Sequence, residues 1–129
     1  MIGIGLFIPH ENTLLAKEAL GSLKLTLKTL AVTRIVTKDT HLPATTAIGS
    51  VGGYDEIIKA LNAGANVIMP NFTPEPYRKL YEIYPDKRCF NEQWGDYIYF
   101  LEKMAKAANR WLDYSRGDTL KNNADVLQI

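Results

Sequence analysis

The 129-residue chain has a single cysteine, Cys89, and almost no net charge. One thiol excludes an internal disulfide, and it cannot by itself form a multi-cysteine metal site. So low a thiol count fits a reducing environment, and we expect a cytoplasmic protein. A formal net charge of +1 gives no reason to expect nucleic acid or an anionic membrane surface as a partner.

Long hydrophobic runs and known catalytic spacings are also missing. The apolar start, residues 1–9, is too short to span a membrane and lacks the basic region and cleavage site of a signal peptide. We find no Ser/His/Asp triad, zinc-ligand spacing or paired-carboxylate signature. The glycine-rich residues 49–53 lack the Gly-Lys-Ser/Thr of a P-loop, and we expect them to form a turn. The residues alone therefore specify no reaction.

The chain alternates short strand-like runs with longer helical segments. Residues 2–8, 41–46 and 65–70 predict three strands. Ser22 is a suitable N-cap for a helix with the apolar stripe Leu23, Leu27, Leu30, Ala31 and Ile35. A second helix is predicted over residues 54–62, with Gly64 just past its end. This alternation predicts an α/β fold with a parallel sheet and right-handed crossovers.

Two more helices are predicted after the third strand. Thr73 and Pro74 suit the N-cap and first position of a short helix carrying Tyr77, Leu80, Tyr81 and Tyr84. A long amphipathic helix is predicted over residues 92–114. The shared apolar face, which we expect to pack against a core, consists of Trp94, Tyr97, Ile98, Leu101, Met104, Ala105, Ala108, Trp111 and Leu112. The polar residues 116–129 predict a disordered tail.

Three parallel strands make an incomplete sheet, because the outer strands would expose unpaired backbone groups. A (βα)8 barrel takes about 250 residues, so half that length provides about three or four βα units. Strand residues follow Met1 at once, without a lead-in turn. We therefore expect a truncated reading frame or a split gene.

Binding residues of a barrel lie at the C-terminal ends of its strands, where three clusters occur. His10 follows the first strand and could be an acid, a base or a ligand, although a lone loop histidine is more often merely solvated. Thr45 and Thr46 end the second strand. Because adjacent strand residues point to opposite sides, only one of them should face the mouth of the barrel. An anion-binding hydroxyl and a hydroxyl that caps the next helix are equally good interpretations of this pair.

The third cluster follows the third strand. Here Asn71 precedes the predicted helix at Pro74, whose free N–H groups favour an anion. Tyr77 and Tyr81 lie one helical turn apart on that helix. Tyrosines at this spacing belong to a core more often than to a binding site.

Three phrases of the sequence are more specific than this chemistry. They are IGIGLFIPH at residues 2–10, PATTA at residues 43–47 and GANVIMPN at residues 64–71. In order and spacing they resemble successive strands of the HydE-type maturases of the FeFe hydrogenase, which are biotin synthase-like members of the radical SAM superfamily. With the segments between and after them, the resemblance covers residues 1 to about 90.

This resemblance implies the last three βα units of a (βα)8 TIM-type barrel over residues 1–90, followed by a helical extension over residues 91–115. Members of the family hold a 4Fe–4S cluster with a Cys-x3-Cys-x2-Cys motif and cleave S-adenosylmethionine to a radical. The HydE-type maturase helps to build the bridging dithiolate of the hydrogenase cluster. The motif is not in this chain, so we expect no cluster and no catalysis without the N-terminal half of the barrel.

The resemblance also suggests site residues. Residues that would line the cavity for S-adenosylmethionine and substrate are Ile8, Thr45, Thr46, Met69, Tyr77 and Tyr81, with His10 and Asn71 as possible additions. The two threonines match residues that contact an anionic ligand. Leu6 stands where the family usually has proline, and residues 12–14 read Asn-Thr-Leu instead of Asp-Thr-Pro. Both departures fall near the mouth of the cavity that the resemblance implies.

Two other functions stay open at this point. The chain could be a non-catalytic half-barrel module for binding or assembly, which pairs through its strand edges and its C-terminal helix. It could also be a barrel segment that binds a phosphate-containing ligand at a helix N-terminus. The partners expected are the missing N-terminal barrel half or a second copy of the chain, together with a small-molecule ligand.

Overall fold

The computed structural model describes residues 1–71, 73–78, 80 and 94–119. Its elements, in chain order, are α1 (Leu23–Thr37), β1 (Pro43–Ala44), α2 (Thr46–Asn62), β2 (Val67–Ile68), α3 (Glu75–Arg78) and α4 (Trp94–Ala107). From α1 to α3 the helices and strands alternate as predicted, whereas the first predicted strand, residues 2–8, is reduced to an isolated bridge at Ile4. Within the described residues no helix is long and apolar enough to cross a membrane.

Two of the three predicted strands form a parallel pair, shorter than predicted, and the first predicted strand contributes one bridge beside them. Pro43 pairs with Val67 and Ala44 with Ile68, while Ile4 forms an isolated parallel bridge to the other side of Ala44. The ladder of β1 starts late because the Leu42 N–H donates to the Asn66 side chain. It ends early because α2 begins at Thr46.

Helix α1 begins as its sequence predicts. The Ser22 hydroxyl accepts a hydrogen bond from the Leu25 N–H at 3.2 Å, which confirms Ser22 as the N-cap. Leu30 is fully buried, but Ile35 is 75% exposed, so that part of the predicted stripe is wrong. At this end of α1 the side that faces the core carries Arg34, the residue before Ile35, instead. The Arg34 Nε donates to the Gly64 carbonyl at 2.9 Å.

The predicted glycine-rich turn is mostly helical. Helix α2 starts at Thr46 and runs through residues 49–52, and it is broken at Gly53, where φ is 72° and ψ is −160°. Gly49 is needed because a Cβ there would lie 2.8 Å from Ile57 Cδ1. The turn prediction is therefore wrong before Gly53, although a glycine does make the break. At the other end of α2, Gly64 has φ +117° and follows the C-cap, as predicted.

Helix α4 packs against α2 and extends the helix layer. Residues of its predicted apolar face that are buried are Leu101, Met104, Ala105 and Ala108. The rings of Tyr54 and Phe100 stack with centroids 5.9 Å apart. The helix ends at Ala107, seven residues before the predicted end, because Asn109 turns left-handed at φ 54°. The Arg110 N–H then donates to the Ala105 carbonyl, which completes a Schellman ending.

Because α4 ends at Ala107, the predicted core residues after it do not lie on a helix. Trp111 is 86% exposed, so its predicted packing is wrong, whereas Leu112 packs against the core. The side chains of Trp94 and Tyr97 lie outside the described part of the chain. Among the described residues, a hydrophobic core cluster joins the sheet to the helices. Its buried members are Leu6, Leu30, Ala44, Ile48, Ile57, Ala60, Leu61, Ala65, Leu101, Met104 and Ala108.

Candidate functional site

Among the described residues, one side of the sheet carries half-exposed side chains, and we call this side the open face. On the first strand segment Leu6 is buried in the core and Ile8 packs against it, whereas Phe7 between them is 41% exposed. Side chains of extended chain alternate between faces, so Gly5 and Phe7 lie on the side away from the helices. The parallel pairing of Ile4, Ala44 and Ile68 places the next residues, Gly5, Thr45 and Met69, in one row on this side.

Contact between Gly5 and Thr45 agrees with this register. A Cβ atom at Gly5 would lie 3.2 Å from the Thr45 hydroxyl oxygen. Met69 is 47% exposed at the other end of the row. We define the open face by Gly5, Phe7, Thr45 and Met69; it combines an apolar wall with one hydroxyl.

The Thr45 hydroxyl is buried and has no hydrogen-bond partner among the described residues. Thr45 occupies the N-cap position of α2, with φ −67° and ψ 152°, yet its side chain makes no capping hydrogen bond. A buried polar group without a partner is costly and rare in folded proteins. The Thr45 hydroxyl thus has an unused hydrogen-bonding capacity among the described residues.

The sequence predicted Thr46 as the last residue of a strand. In the structure it is the first residue of α2. The expectation that Thr45 and Thr46 point to opposite sides of one strand was therefore made on the wrong local structure. The chain leaves the extended conformation after Thr45 because the N-cap residue is the last with non-helical dihedral angles. The two hydroxyls therefore have different surroundings, because Thr45 is the N-cap of α2 and Thr46 is its first helical residue.

The remaining predicted residues are dispersed. Ile8 packs against the core cluster, and Tyr77 is 57% exposed on α3. Tyr81 lies outside the described residues. Of the cavity residues that the sequence suggests, the sheet register brings Thr45 and Met69 into one row.

His10 and Asn71 shape the loops in which they lie. The His10 Nδ1 accepts a hydrogen bond from the Asn12 N–H at 3.1 Å, and its carbonyl accepts from the Thr13 N–H and hydroxyl. The Asn71 Oδ1 accepts from the Thr73 N–H at 3.0 Å, which forms an Asx turn. Both side chains thus have a local structural task.

The helix after β2 offers little to an anion. It begins at Glu75, one residue later than predicted, and has four residues. A single turn aligns few peptide dipoles, so its N-terminus carries only a small part of the field of a full helix. The structure therefore adds no support for a phosphate site at Pro74.

Gly5 and Phe7 were missed in the sequence, although a signal was present. Alternation in residues 3–8 puts Gly3, Gly5 and Phe7 on one face and Ile4, Leu6 and Ile8 on the other. A continuous apolar run hides this alternation, because both faces look hydrophobic. Reading the run with period two would have separated the face that packs against helices from the open face.

The side chains that could hold a metal ion were compared with the needs of an iron–sulfur cluster. Within residues 1–71, 73–78, 80 and 94–119 no cluster of three or more His, Cys, Asp or Glu side chains could hold a metal ion. Cys89 lies outside these residues. A chain with one thiol does not fit a 4Fe–4S cluster, whose binding takes three or four cysteine thiolates.

Comparison with known proteins identifies the sequence type. No protein-family profile matches the chain. The [FeFe] hydrogenase maturase subunit HydE of Thermotoga maritima is 51% identical to it over 111 residues, which are 85% of this chain and 31% of that protein. The chain thus spans about a third of the length of the curated relative that it matches. In its sequence the chain is of the HydE type and corresponds to a C-terminal part of such a maturase.

Proposed function

We propose that this chain supplies the last three βα units of a (βα)8 radical-SAM barrel that acts in FeFe-hydrogenase maturation. The observation that carries the proposal is the parallel order of Ile4, Ala44 and Ile68, with α1 and α2 as the connections between neighbouring strands. Consecutive βα units of a barrel have this order. The identity of 51% to a HydE subunit supports the assignment to this kind of barrel.

In this proposal the open face is part of the inner wall of the barrel. Thr45 donates its hydroxyl hydrogen to an anionic group of the ligand, and Met69 forms apolar wall next to it. Thr46 contributes a second hydroxyl from the first turn of α2, and Tyr77 borders the mouth; a cavity role for Tyr81 stays a prediction from the sequence. Ile8 supports the wall from behind, and His10 and Asn71 hold the loops at the mouth in shape.

The cofactors divide between the two parts of the barrel. S-adenosylmethionine, when bound, supplies the radical chemistry of the family, and the open face contributes one side of its cavity. The cluster does not fit this chain, because one thiol cannot replace three. We propose that an N-terminal part of the barrel binds the cluster, and we assign no reaction step to the residues of this chain alone.

An uncovered apolar surface supports the need for such a part. The open-face residues Phe7 and Met69 are about half exposed, and so are Leu15 and Leu20 of the loop after the first strand; Leu14 in the same loop is fully exposed. Exposed apolar side chains on the open face and in this loop support a surface that another segment covers. The missing barrel half would meet the chain there.

An experiment on the joined protein tests this function. The chain is co-expressed with the N-terminal part of a HydE-type maturase, and binding of S-adenosylmethionine and its cleavage to 5′-deoxyadenosine are measured. We expect both activities from the pair and neither from the chain. If the pair forms and holds a cluster but does not cleave S-adenosylmethionine, the enzymatic proposal is wrong.

A second candidate function is a non-catalytic assembly module. The observation in its favour is that α4 packs on α2 and adds Leu101, Met104 and Ala108 to the core, so the fragment has a hydrophobic core of its own. A module of this kind would bind its partner without any change in S-adenosylmethionine cleavage. The same co-expression experiment therefore separates the two functions.

A further inference from the structure

The segment after α4 is held at the end of the sheet where the strands begin. The Asp118 carbonyl lies within hydrogen-bond distance of His41, which precedes β1, so the segment after α4 reaches the end where β1 starts. Residues 109–119 then continue along this side without regular secondary structure. We call these residues the strap.

A hydrogen-bond relay connects the strap to both strands. The carbonyl of Asp118 lies 2.8 Å from the His41 Nε2, and the His41 Nδ1 lies 3.2 Å from the Asn66 Nδ2. Asn66 is itself bonded to Leu42, the residue before β1, through its side-chain oxygen at 2.8 Å and its backbone N–H at 2.9 Å. His41 thus joins the strap to the first residues of the sheet.

The roles of the donors and acceptors in this relay are determined. The Leu42 N–H can only donate, so the Asn66 side chain must present its oxygen there and its NH₂ group to His41. The His41 Nδ1 therefore accepts from Asn66, and its Nε2 donates to the Asp118 carbonyl. Each atom of the relay has a complementary partner.

Other contacts bring the strap to this position. Leu112 packs against the core, and the Tyr114 hydroxyl donates to Glu102 of α4 at 2.8 Å. This hydrogen bond raises the pKa of the Tyr114 phenol above its usual value. Gly117 has φ +72°, a conformation that glycine adopts readily, and its turn directs the next carbonyl, that of Asp118, toward His41.

We propose that residues 109–119 are a strap that closes the starting end of the parallel strands, with His41 as its latch. Thr45 follows the last residue of β1, at the other end of the strand, so the strap is a conformational device separate from the proposed ligand site. In barrels this end of the strands serves stability more than catalysis. Release of the latch frees the strap while the core and the open face keep their structure.

Limited proteolysis of the full chain tests the latch. Trypsin cleaves after Arg116 in the strap and after Lys28 in α1, which serves as an internal reference, and mass spectrometry follows both sites. His41→Ala removes the latch, and His10→Ala, the change of the other histidine, is the control. We expect cleavage after Arg116 to rise about fivefold in His41→Ala, as for the loss of a hydrogen bond of about 1 kcal/mol, and to stay at the parent rate in His10→Ala.

A second variant covers the case in which His41→Ala loosens the whole fold, so that cleavage after Lys28 rises equally. A side chain at Gly117 would touch nothing within 4 Å, so Gly117→Val strains the turn without disturbing the core. It should also raise cleavage after Arg116 selectively. Cleavage after Arg116 at the parent rate in Gly117→Val, or in a folded His41→Ala, would overturn the proposal.

Discussion

A Cβ atom at Gly5 would lie 3.2 Å from the hydroxyl oxygen of Thr45, so the backbone of Gly5 closely approaches that side chain. The two residues belong to neighbouring strand segments whose register is set by the bridge between Ile4 and Ala44. The hydroxyl is buried beside Gly5, and no described group satisfies it. If the Thr45 hydroxyl is reserved for a ligand, removing it should not lower the free energy of unfolding of the ligand-free chain, and this can be measured.

Thr45→Val should leave the chain as stable as the parent, or more stable by up to about 1 kcal/mol, because it removes a buried hydroxyl without a partner. Thr26→Val is the matched control. The Thr26 hydroxyl donates to the Ser22 carbonyl at 3.0 Å, and its loss should cost about 1 kcal/mol. Urea unfolding compares the two variants. If Thr45→Val destabilises the chain as much as Thr26→Val does, the hydroxyl has a partner in the folded chain and its assignment to a ligand is wrong.

Gly21→Ala should strongly destabilise the fold. A Cβ at Gly21 would lie 2.6 Å from the backbone nitrogen of Phe7, and the Gly21 N–H donates to the Phe7 carbonyl at 2.8 Å. Backbone on both sides cannot move aside as a flexible side chain can, so we expect a loss of about 1–3 kcal/mol. Gly3→Ala is the control, because a Cβ there meets nothing within 4 Å. Equal melting temperatures for the two variants would contradict the close approach of Gly21 to Phe7.

Arg34→Met should lower the free energy of unfolding by about 1–3 kcal/mol. The guanidinium donates to the carbonyls of Gly64 and Lys38, and thereby joins the ends of α1 and α2. Methionine keeps much of the side-chain packing but leaves these carbonyls without their charged donor. Lys28→Met, on the exposed side of the same helix, should change stability by less than about 0.5 kcal/mol. A similar urea midpoint for both variants would show that the Arg34 hydrogen bonds contribute nothing.

The isolated chain should bind a hydrophobic dye and self-associate, because its open face and the unpaired edge of the first strand segment are exposed. Phe7→Ser and Met69→Ser should together reduce dye fluorescence and shift sedimentation toward the monomer. Neither change should lower the melting temperature much, since both side chains are about half exposed. Ile48→Ser, at a fully buried position, should instead unfold the chain and raise dye binding. Unchanged dye binding in the double variant would mean that the open face is covered.

Local signals in the sequence predicted the ends of elements well when a single side chain or φ angle determines them. The cap at Ser22 and the left-handed Gly64 are examples. The helical path through Gly49 was not predictable, because it depends on a contact with Ile57 that forms only after the chain turns at Gly53. The apolar period of α4 likewise continues past Asn109, although the helix does not.

The candidate site was predictable only in part. The position of Thr45 at a strand end, and its place beside Met69, follow from the order of parallel strands. The N-cap conformation of Thr45 and its contact with Gly5 depend on the register between segments 40 residues apart, which the residues themselves do not encode locally. Ile8 was assigned to the cavity from family phrases, and the structure places it against the core.

Native mass spectrometry with iron analysis tests the central claim most directly. The chain is co-expressed with the cluster-binding N-terminal part of a HydE-type maturase, reconstituted with iron and sulfide, and compared with the chain treated alone. We predict a one-to-one complex that holds about four irons, and a chain that alone holds no stoichiometric cluster, because one cysteine cannot supply three thiolates. A stoichiometric cluster on the monomeric chain, or two parts that stay separate at micromolar concentration, would contradict the claim that this chain completes a HydE-type barrel.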